Sequence, residues 1–510
     1  MTPGAPVQHS IDPAFTSIPY RRLADAALAR ARDFNVSHAD FRLERVRYQD
    51  IRVRDGHLQG AGDNEDLGFA VRVILDGAWG FASGVVLTPE SAVQVAETAV
   101  RTAQVAAAMT TRPIDLAPEP AYADASWVSS YEIDPFSVPL AEKVDLLAEW
   151  SRKLMDSPGV AHSSGLLRQV FENKYYADLG GTSTTQQRVR LEPEFEVYGN
   201  DEKTGRFDSM RTIAPPVGRG WEYMVGDVRD WTTELGELPE LLAGKLAAPS
   251  VEPGHYDLVI HPSNLWLTIH ESIGHATELD RALGYEANYA GTSFATPDQL
   301  GKLQYGSSVM HVTGDRTVEH GLATIGYDDE GVQTQSWDII KDGVLVGYQL
   351  DRPTAHLMGL ERSNGCAYAD SPGHIPIQRM ANVSLQPALD GPDTDGLISQ
   401  VERGIYIVGD NSWSIDMQRY NFQFTGQRFY KIENGRLAGQ LRDVAYQATT
   451  TDFWNSMEAI GGPQTWELGG AFNCGKAQPG QVASVSHGCP TALFRDVRVL
   501  NTAAEAGNQD

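Results

Sequence analysis

The sequence predicts an α+β protein with two domains: an N-terminal antiparallel sheet domain with helices, and a C-terminal strand-rich domain that carries a helix with two histidines. Strand-like stretches meet at two-residue Asp-Gly turns, which are typical of antiparallel hairpins. Helical periodicity is confined to separate segments. At 510 residues the chain also exceeds what one hydrophobic core usually supports. The Pro- and Gly-containing segment 214–218 favours a boundary there, giving domains 1–216 and 217–510.

The N-terminal elements follow from hydrophobic spacing and from the residues that begin helices and turns. Thr88 before Pro89 is a typical helix start, because its hydroxyl can accept a hydrogen bond from the first turn. The predicted elements are a helix over 22–34, strands over 41–54, 69–75 and 78–84, a helix over 89–109, a surface connection over 111–139, a helix over 140–154 and two strands over 170–199.

The C-terminal elements are predicted in the same way. They are a helix over 223–248, a strand over 255–262, the histidine-bearing helix, and further strands from about residue 321, with turns at Asp342-Gly343 and Asn434-Gly435. The acidic run Asp328-Asp329-Glu330 lies before a strand and near a turn, so we expect it to be structural rather than a metal site.

Composition excludes several classes of partner. The 67 acidic and 41 basic residues give a net charge of −26, which disfavours nucleic acid and anionic membranes, because both require basic surface. Three cysteines cannot build a disulfide framework and are typical of a reducing compartment. No secretory signal or membrane-spanning stretch is visible. We therefore expect a soluble, cytoplasmic protein without nucleic-acid or membrane partners.

The segment His270-Glu271-Ser272-Ile273-Gly274-His275 has the residue types of a zinc hydrolase. Two imidazoles hold the metal, and the adjacent carboxylate accepts a proton from metal-activated water. Histidines five residues apart diverge by about 140° on a regular α-helix. We therefore predict a π-bulge at or beside Gly274, which would return both rings to one face. The alternative is that both histidines are structural.

A catalytic zinc needs a third protein ligand and an open position. Cys474 lies in Asn473-Cys474-Gly475-Lys476, where the glycine allows a turn and the lysine would lower the thiol pKa. Spacing does not decide between the downstream candidates, and each cysteine could instead be a small buried apolar residue. The candidates are Cys366, Cys474, His487 and Cys489, besides Glu278 and Asp280.

Together with HESIGHATELD, several downstream motifs closely resemble the TldD/PmbA family of zinc metallopeptidases. They are Gly326–Gly331, Lys341–Leu345, Gly347–Asp351, Arg362–Gly365, Pro376–Asn382, Gly404–Tyr406 and Cys474-Gly475-Lys476. Order and spacing match over most of residues 250–495, and the N-terminal domain matches more loosely. Two segments depart from the family pattern, 409–413 and 485–490, which puts the substrate in doubt. We expect His487 and Cys489 in the second segment to pack rather than to line the pocket.

The resemblance implies that His270, His275 and Cys474 bind Zn²⁺ and that Glu271 is the general base. It also implies a dimer with an internal cavity, either a homodimer or a heterodimer with a ligand-lacking paralogue, and peptide binding as an added strand. The expected activity is hydrolysis of amide bonds in unfolded peptides or modified peptide precursors. An amide hydrolase of small-molecule biosynthesis is the alternative, and a non-catalytic partner subunit is a weaker one. Glu278 or Asp280 could orient an imidazole.

Overall fold

A computed structural model describes residues 9–226 and 228–507. The first half of the chain contains the helices α1 (Pro13–Thr16), α2 (Tyr20–Arg32), α3 (Pro89–Ala107), α4 (Leu140–Met155), α5 (Glu222–Val225) and α6 (Trp231–Ala247). Its strands are β1 (His38–Arg54), β2 (His57–Leu75), β3 (Ala78–Gly84), β4 (Ala125–Val128), β5 (His162–Asp178), β6 (Ser183–Asp201) and β7 (Arg206–Arg211).

These strands form one sheet in the order β3-β2-β1-β5-β6-β4, and β7 also pairs with β6. All neighbours are antiparallel except β4 and β6, which are parallel. The predicted hairpins form at Asp55-Gly56 and Asp76-Gly77, where all four residues have positive φ between 49° and 75°. Thr88 caps α3 through its side chain, which accepts from the Ser91 N–H.

One face of this sheet is apolar and carries the helices. Phe41 and Leu43 of β1 pack with α2 and α3. Further along the strand, Ile51 and Val53 pack with α4 and α6. Side chains two residues apart in a strand share a face, so all four helices cover the same side of the sheet.

The opposite face is charged and is buried against the second half of the chain. The charged interface cluster consists of Glu172, Lys174, Arg188, Arg190, Asp329 and Tyr368, all at most 5% exposed. Lys174 donates to Asp329 at 2.8 Å, and Arg188 binds Glu172 through two nitrogens at 2.9 and 3.1 Å. Asp328-Asp329-Glu330 therefore lies at this interface and accepts hydrogen bonds from protein groups.

The second half contains the helices α7 (Pro262–Ile269), α8 (Leu279–Ala282), α9 (Arg352–Leu357), α10 (Thr394–Ile398), α11 (Thr450–Asn455) and α12 (Thr502–Glu505), and a π-helical turn over His270–Gly274. Its strands are β8 (Gly254–Ile260), β9 (Val312–Asp315), β10 (Ser336–Lys341), β11 (Val344–Leu345), β12 (Ala367–Tyr368), β13 (Ile377–Gln378), β14 (Asn382–Leu385), β15 (Arg403–Ile415), β16 (Asn421–Glu433), β17 (Arg436–Leu441), β18 (Val444–Thr449), β19 (Met457–Ile460), β20 (Glu467–Lys476), β21 (Gln481–Cys489) and β22 (Ala492–Asn501).

Five of these strands close on themselves. The pairings β15-β8-β22-β18-β16 return to β15, so the sheet forms a ring around an apolar core that includes Ile407, Phe424 and Tyr446. Beside this ring, β20 and β21 form a separate two-stranded sheet. Helix α7 packs against β15, β20 and β21, and it leads directly into the histidine-bearing turn.

Two predicted segments differ from the structure. The connection 111–139 includes the short strand β4, and Ala117 and Tyr131 within it are buried. The predicted helix 223–248 is divided into α5 and α6, because Asp230 begins a new helix by accepting a hydrogen bond from the Thr233 N–H. In the described residues, no helix is long and apolar enough to cross a membrane.

Candidate metal centre

The first two candidate ligands lie on a widened helical turn. Helix α7 ends at Ile269, and the π-helical turn His270–Gly274 continues it. The His275 N–H donates to the His270 carbonyl at 3.0 Å, a five-residue step instead of four. The two rings are thereby brought together, with centroids 4.6 Å apart. The predicted π-bulge is confirmed.

Gly274 leaves space for the end of the Met380 side chain at this turn. A Cβ at this position would lie 2.6 Å from Met380 Sδ and 2.9 Å from Met380 Cε. Both distances are shorter than real Cβ contacts, so an alanine would have to displace Met380. The absence of a side chain therefore lets the widened turn pack against the segment before β14.

Cys474 approaches the histidines from β20. The β20–β21 register shifts by one residue between Ala471 and Cys474, which is a β-bulge that reorients the strand. Cys474 Sγ lies 3.6 Å from His275 Nε2. In the described part of the chain, His270, His275 and Cys474 are the one group of at least three potential ligands whose ligand atoms all lie within 4.8 Å of one another.

The donor set fits zinc. Two imidazole nitrogens and a thiolate are ligands that zinc prefers, and three protein ligands leave a position open. Cys366 and Cys489 are also buried and free, but they contact Asn364 and the Pro262 carbonyl instead of the histidines.

Each histidine ring is held by a hydrogen bond from its outer nitrogen. His275 Nδ1 lies 2.9 Å from Glu278 Oε2, and His270 Nδ1 lies 2.7 Å from His487 Nε2. Burial lowers the pKa of both His270 and His275. It also lowers the pKa of His487 to well below its ordinary value, and the neighbouring His270 adds to this effect. Neutral imidazoles are the form that binds metal.

The surrounding charges favour a thiolate and an ionised Glu278. Burial raises the pKa of Cys474, but the contact with His275 outweighs it, so the thiol pKa lies below its ordinary value. Lys476 does not contact the sulfur as the sequence suggested. Its ammonium donates to Glu278 and Asp280. Burial would raise the pKa of Glu278, but Lys476 and Arg281 hold it well below the ordinary value.

Glu271 is buried beside the candidate ligands and forms an ion pair with Arg419. The Arg419 Nη1 lies 2.5 Å from Glu271 Oε2, and its Nη2 donates to the Ala290 carbonyl at 3.2 Å. Arg419 lies in the turn between β15 and β16 and has a φ of 64°. Sequence reasoning missed this residue, because a polar turn 148 residues from Glu271 carries no signal of the contact.

An open cleft reaches the three candidate ligands. It has a volume of about 500 Å³ and is lined by α7, the π-helical turn, the hairpin β15–β16 and the end of β20. A second cavity of about 480 Å³ shares Trp266, Trp413, Ala471 and Asn473 with it. This second cavity lies between residues 192–216 of the N-terminal sheet and β20, so both halves of the chain form its walls.

This chain is similar to known proteins in sequence and in fold. Residues 253–501 match the model of the PmbA/TldA metallopeptidase C-terminal domain, and residues 39–103 match that of domain 1. A metalloprotease of Methanothermobacter thermautotrophicus is 26% identical over 92% of this chain and 96% of its own length. A zinc metalloprotease TldD homolog of Saccharolobus solfataricus is 25% identical over 54% of this chain and 58% of its own. The crystal structure of TldE from Thermococcus kodakarensis has a TM-score of 0.68 at 17% identity, covering 93% of this chain and 99% of that one.

Proposed function

Because this chain belongs to the PmbA/TldD family of metallopeptidases, we propose that it hydrolyses peptide bonds with a zinc ion held by His270, His275 and Cys474. The observation that carries the proposal is the close approach of the three ligand atoms, all within 4.8 Å of one another. The Saccharolobus relative is named a zinc metalloprotease, which supports zinc as the metal.

His270, His275 and Cys474 would hold the zinc ion, which would supply Lewis-acid chemistry toward water and a substrate carbonyl. Glu271 is the general base. It lies directly after His270, accepts a proton from the attacking water and returns that proton to the leaving nitrogen. Arg419 balances the charge of Glu271 and holds its carboxylate in place. Glu278 fixes the ring of His275.

The shape of the cleft supports an extended peptide as substrate. Strand β20 pairs only with β21 in the described residues, so no described strand occupies its other edge, where a peptide strand would pair. The cleft and the adjoining cavity follow residues 467–475 of this strand. Unfolded peptides and peptide precursors present such a backbone, whereas folded domains do not.

The segment 409–413 supports a specialised substrate as a second candidate. Asp410 and Trp413 line the adjoining cavity, so a segment that departs from the family pattern forms part of its wall. A dedicated amide hydrolase of small-molecule biosynthesis would use the same zinc and the same base on a non-peptide amide. Turnover of unstructured peptides separates the two candidates.

We also propose that a second subunit covers the cleft, either another copy of this chain or a ligand-lacking paralogue. Tyr285, Tyr289, Trp413 and Met417 are 55–58% exposed, in segments that border the centre. Covering them would bury apolar surface and exclude folded proteins. Light scattering should give the mass of a dimer. A monomer that cleaves unstructured peptides as fast as any dimer contradicts the proposal.

Glu271→Gln tests the chemistry directly. The substitution is nearly isosteric, so we expect the variant to fold and to retain zinc. We expect hydrolysis to fall by at least about 100-fold, because an amide cannot accept the proton. Zinc content and peptide turnover should be measured on the same preparation. Appreciable turnover by the zinc-loaded variant would remove Glu271 from the role of general base.

A further inference from the structure

His487 lies directly behind the candidate ligand His270. The two rings meet edge to face with centroids 4.9 Å apart, and His270 Nδ1 lies 2.7 Å from His487 Nε2. His270 is 4% exposed and His487 is fully buried. Buried polar groups form hydrogen bonds within the protein, so one of these two ring nitrogens donates a hydrogen to the other.

The backbone determines which nitrogen of His487 carries its hydrogen. His487 Nδ1 lies 2.8 Å from the Val383 carbonyl oxygen, which only accepts hydrogen bonds. Nδ1 of His487 is therefore protonated, and in a neutral ring Nε2 is then an acceptor. His270 Nδ1 must donate to that acceptor. The lone pair of His270 is consequently on Nε2, the nitrogen that remains free for a metal.

The position of His487 is fixed by its neighbours along β21. Residues 486, 487 and 488 bond to residues 382, 383 and 384 of β14, at 3.1, 2.8 and 2.9 Å. The ring of Trp266 lies nearly parallel to the imidazole, with an interplanar angle of 12°. The imidazole cannot turn away from His270 without disrupting this packing.

We propose that His487 is a positioning residue that holds His270 in the tautomer whose Nε2 binds zinc. The inference rests on the proposed zinc site and adds a residue that touches neither the metal nor the substrate. The two ligands are thus oriented by different chemistry. Glu278 offers His275 a charged acceptor, which makes a ligand more basic, whereas His487 offers His270 a neutral one.

Two substitutions separate the functions of the two nitrogens of His487. His487→Gln keeps an acceptor oxygen near the former Nε2, facing His270. His487→Asn keeps only a donor near the former Nδ1, facing Val383. We expect the Gln variant to retain a zinc dissociation constant within about threefold of the wild type, and the Asn variant to weaken binding by about 10- to 100-fold. Competition with a chromophoric chelator on the full chain measures both constants.

The wild-type protein provides a second measurement that requires no change at His487. In the metal-free chain labelled with [¹⁵N]histidine, the resonances lost in His270→Ala identify the His270 ring. They should show a protonated Nδ1 and an unprotonated Nε2. A His270 ring protonated at Nε2, or equal zinc affinity in the Gln and Asn variants, would overturn the inference. A failure of the proposed function would give a different result. The wild type, His270→Ala and Cys474→Ala would then bind zinc equally or not at all.

Discussion

At the candidate metal centre, residues from distant parts of the chain meet within a few ångströms. Cys474 lies 199 residues from His275, and the bulge in β20 brings its sulfur to 3.6 Å from the imidazole. Cys489 is 15 residues further along the chain but faces Pro262. Strand geometry therefore places Cys474, and not Cys489, beside the two histidines. Single substitutions can test whether Cys474 binds the metal.

We expect Cys474→Ala to lose most of its zinc, because two imidazoles alone form an incomplete site. Cys489→Ala and Cys366→Ala are matched controls, since both remove a buried thiol outside the cluster. Metal analysis after gel filtration gives the zinc content of each variant. Full zinc retention in Cys474→Ala, with loss in Cys489→Ala, would reassign the third ligand.

How much of the site could be predicted varies from residue to residue. The spacing of His270, Glu271 and His275 predicted the widened turn, which is confirmed, because local periodicity encodes it. The metal motif that the same spacing indicates stays a prediction. Cys474 was assigned by family resemblance. The contacts of Arg419 and His487 were not foreseen, since each joins residues 148 or 217 positions apart. His487 does pack as expected, but it packs against the candidate ligand His270.

At the scale of single elements, α4 contains a buried charge that makes no ion pair with a described residue. Lys143 is fully buried, and its ammonium donates to Gln49 Oε1 at 2.7 Å. Burial lowers the pKa of Lys143 to about 8. The folded state thus binds the ammonium proton of Lys143 less tightly than the unfolded state does. The charged lysine therefore destabilises the fold at neutral pH.

We expect Lys143→Met to raise the free energy of unfolding at pH 7 by roughly 2 kcal/mol. The difference from the wild type should shrink as the pH rises from about 8 to 10.5, because the wild-type lysine then becomes neutral in the unfolded state too. Urea unfolding at pH 7 and pH 9.5 measures both values. Lys153→Met on the exposed side of α4 is the control. If Lys143→Met raised the free energy of unfolding by the same amount at both pH values, the buried charge would not be the cause of the destabilisation.

The local sequence predicted those helices and turns whose signals lie within a few neighbouring residues. Asp-Gly pairs predicted the hairpins because their positive φ suits a two-residue turn. Strand β4 was missed because it has four residues and pairs with β6 about 59 residues later, a contact that no local pattern encodes. The break between α5 and α6 was missed because helical periodicity hides a short interruption.

At the scale of the molecule, the α+β class is confirmed, and the two halves meet through the charged interface cluster. The boundary after residue 216 stays a prediction. Helix α6 packs with the N-terminal sheet, and the matched C-terminal family model begins at residue 253. The sequence could not reveal the interface, because its charged residues alternate along strands as solvent-facing residues do.

We expect Glu172→Gln to lower the free energy of unfolding by about 3–5 kcal/mol. The carboxylate accepts hydrogen bonds from Arg188, Arg190 and Tyr368. Its loss leaves buried cations without compensation. Glu149→Gln, in an exposed pair with Lys153, should leave the unfolding midpoint unchanged. Equal effects of the two substitutions in urea unfolding would show that the cluster is not a stabilising contact.

The interface between the two halves also bounds the cavity beside the candidate metal centre. One wall of the cavity beside the metal centre comes from residues 192–216 and the other from 410–413 and 467–473, so neither half alone sets the gap. Widening that gap would separate Arg211 from Asp410, an ion pair that joins the two halves at 2.5 Å. An extended strand is thinner than a helix, whose diameter with side chains is about 10–12 Å. Under the proposed function, the thickness of a polypeptide would decide more than its side chains do whether it enters this cavity.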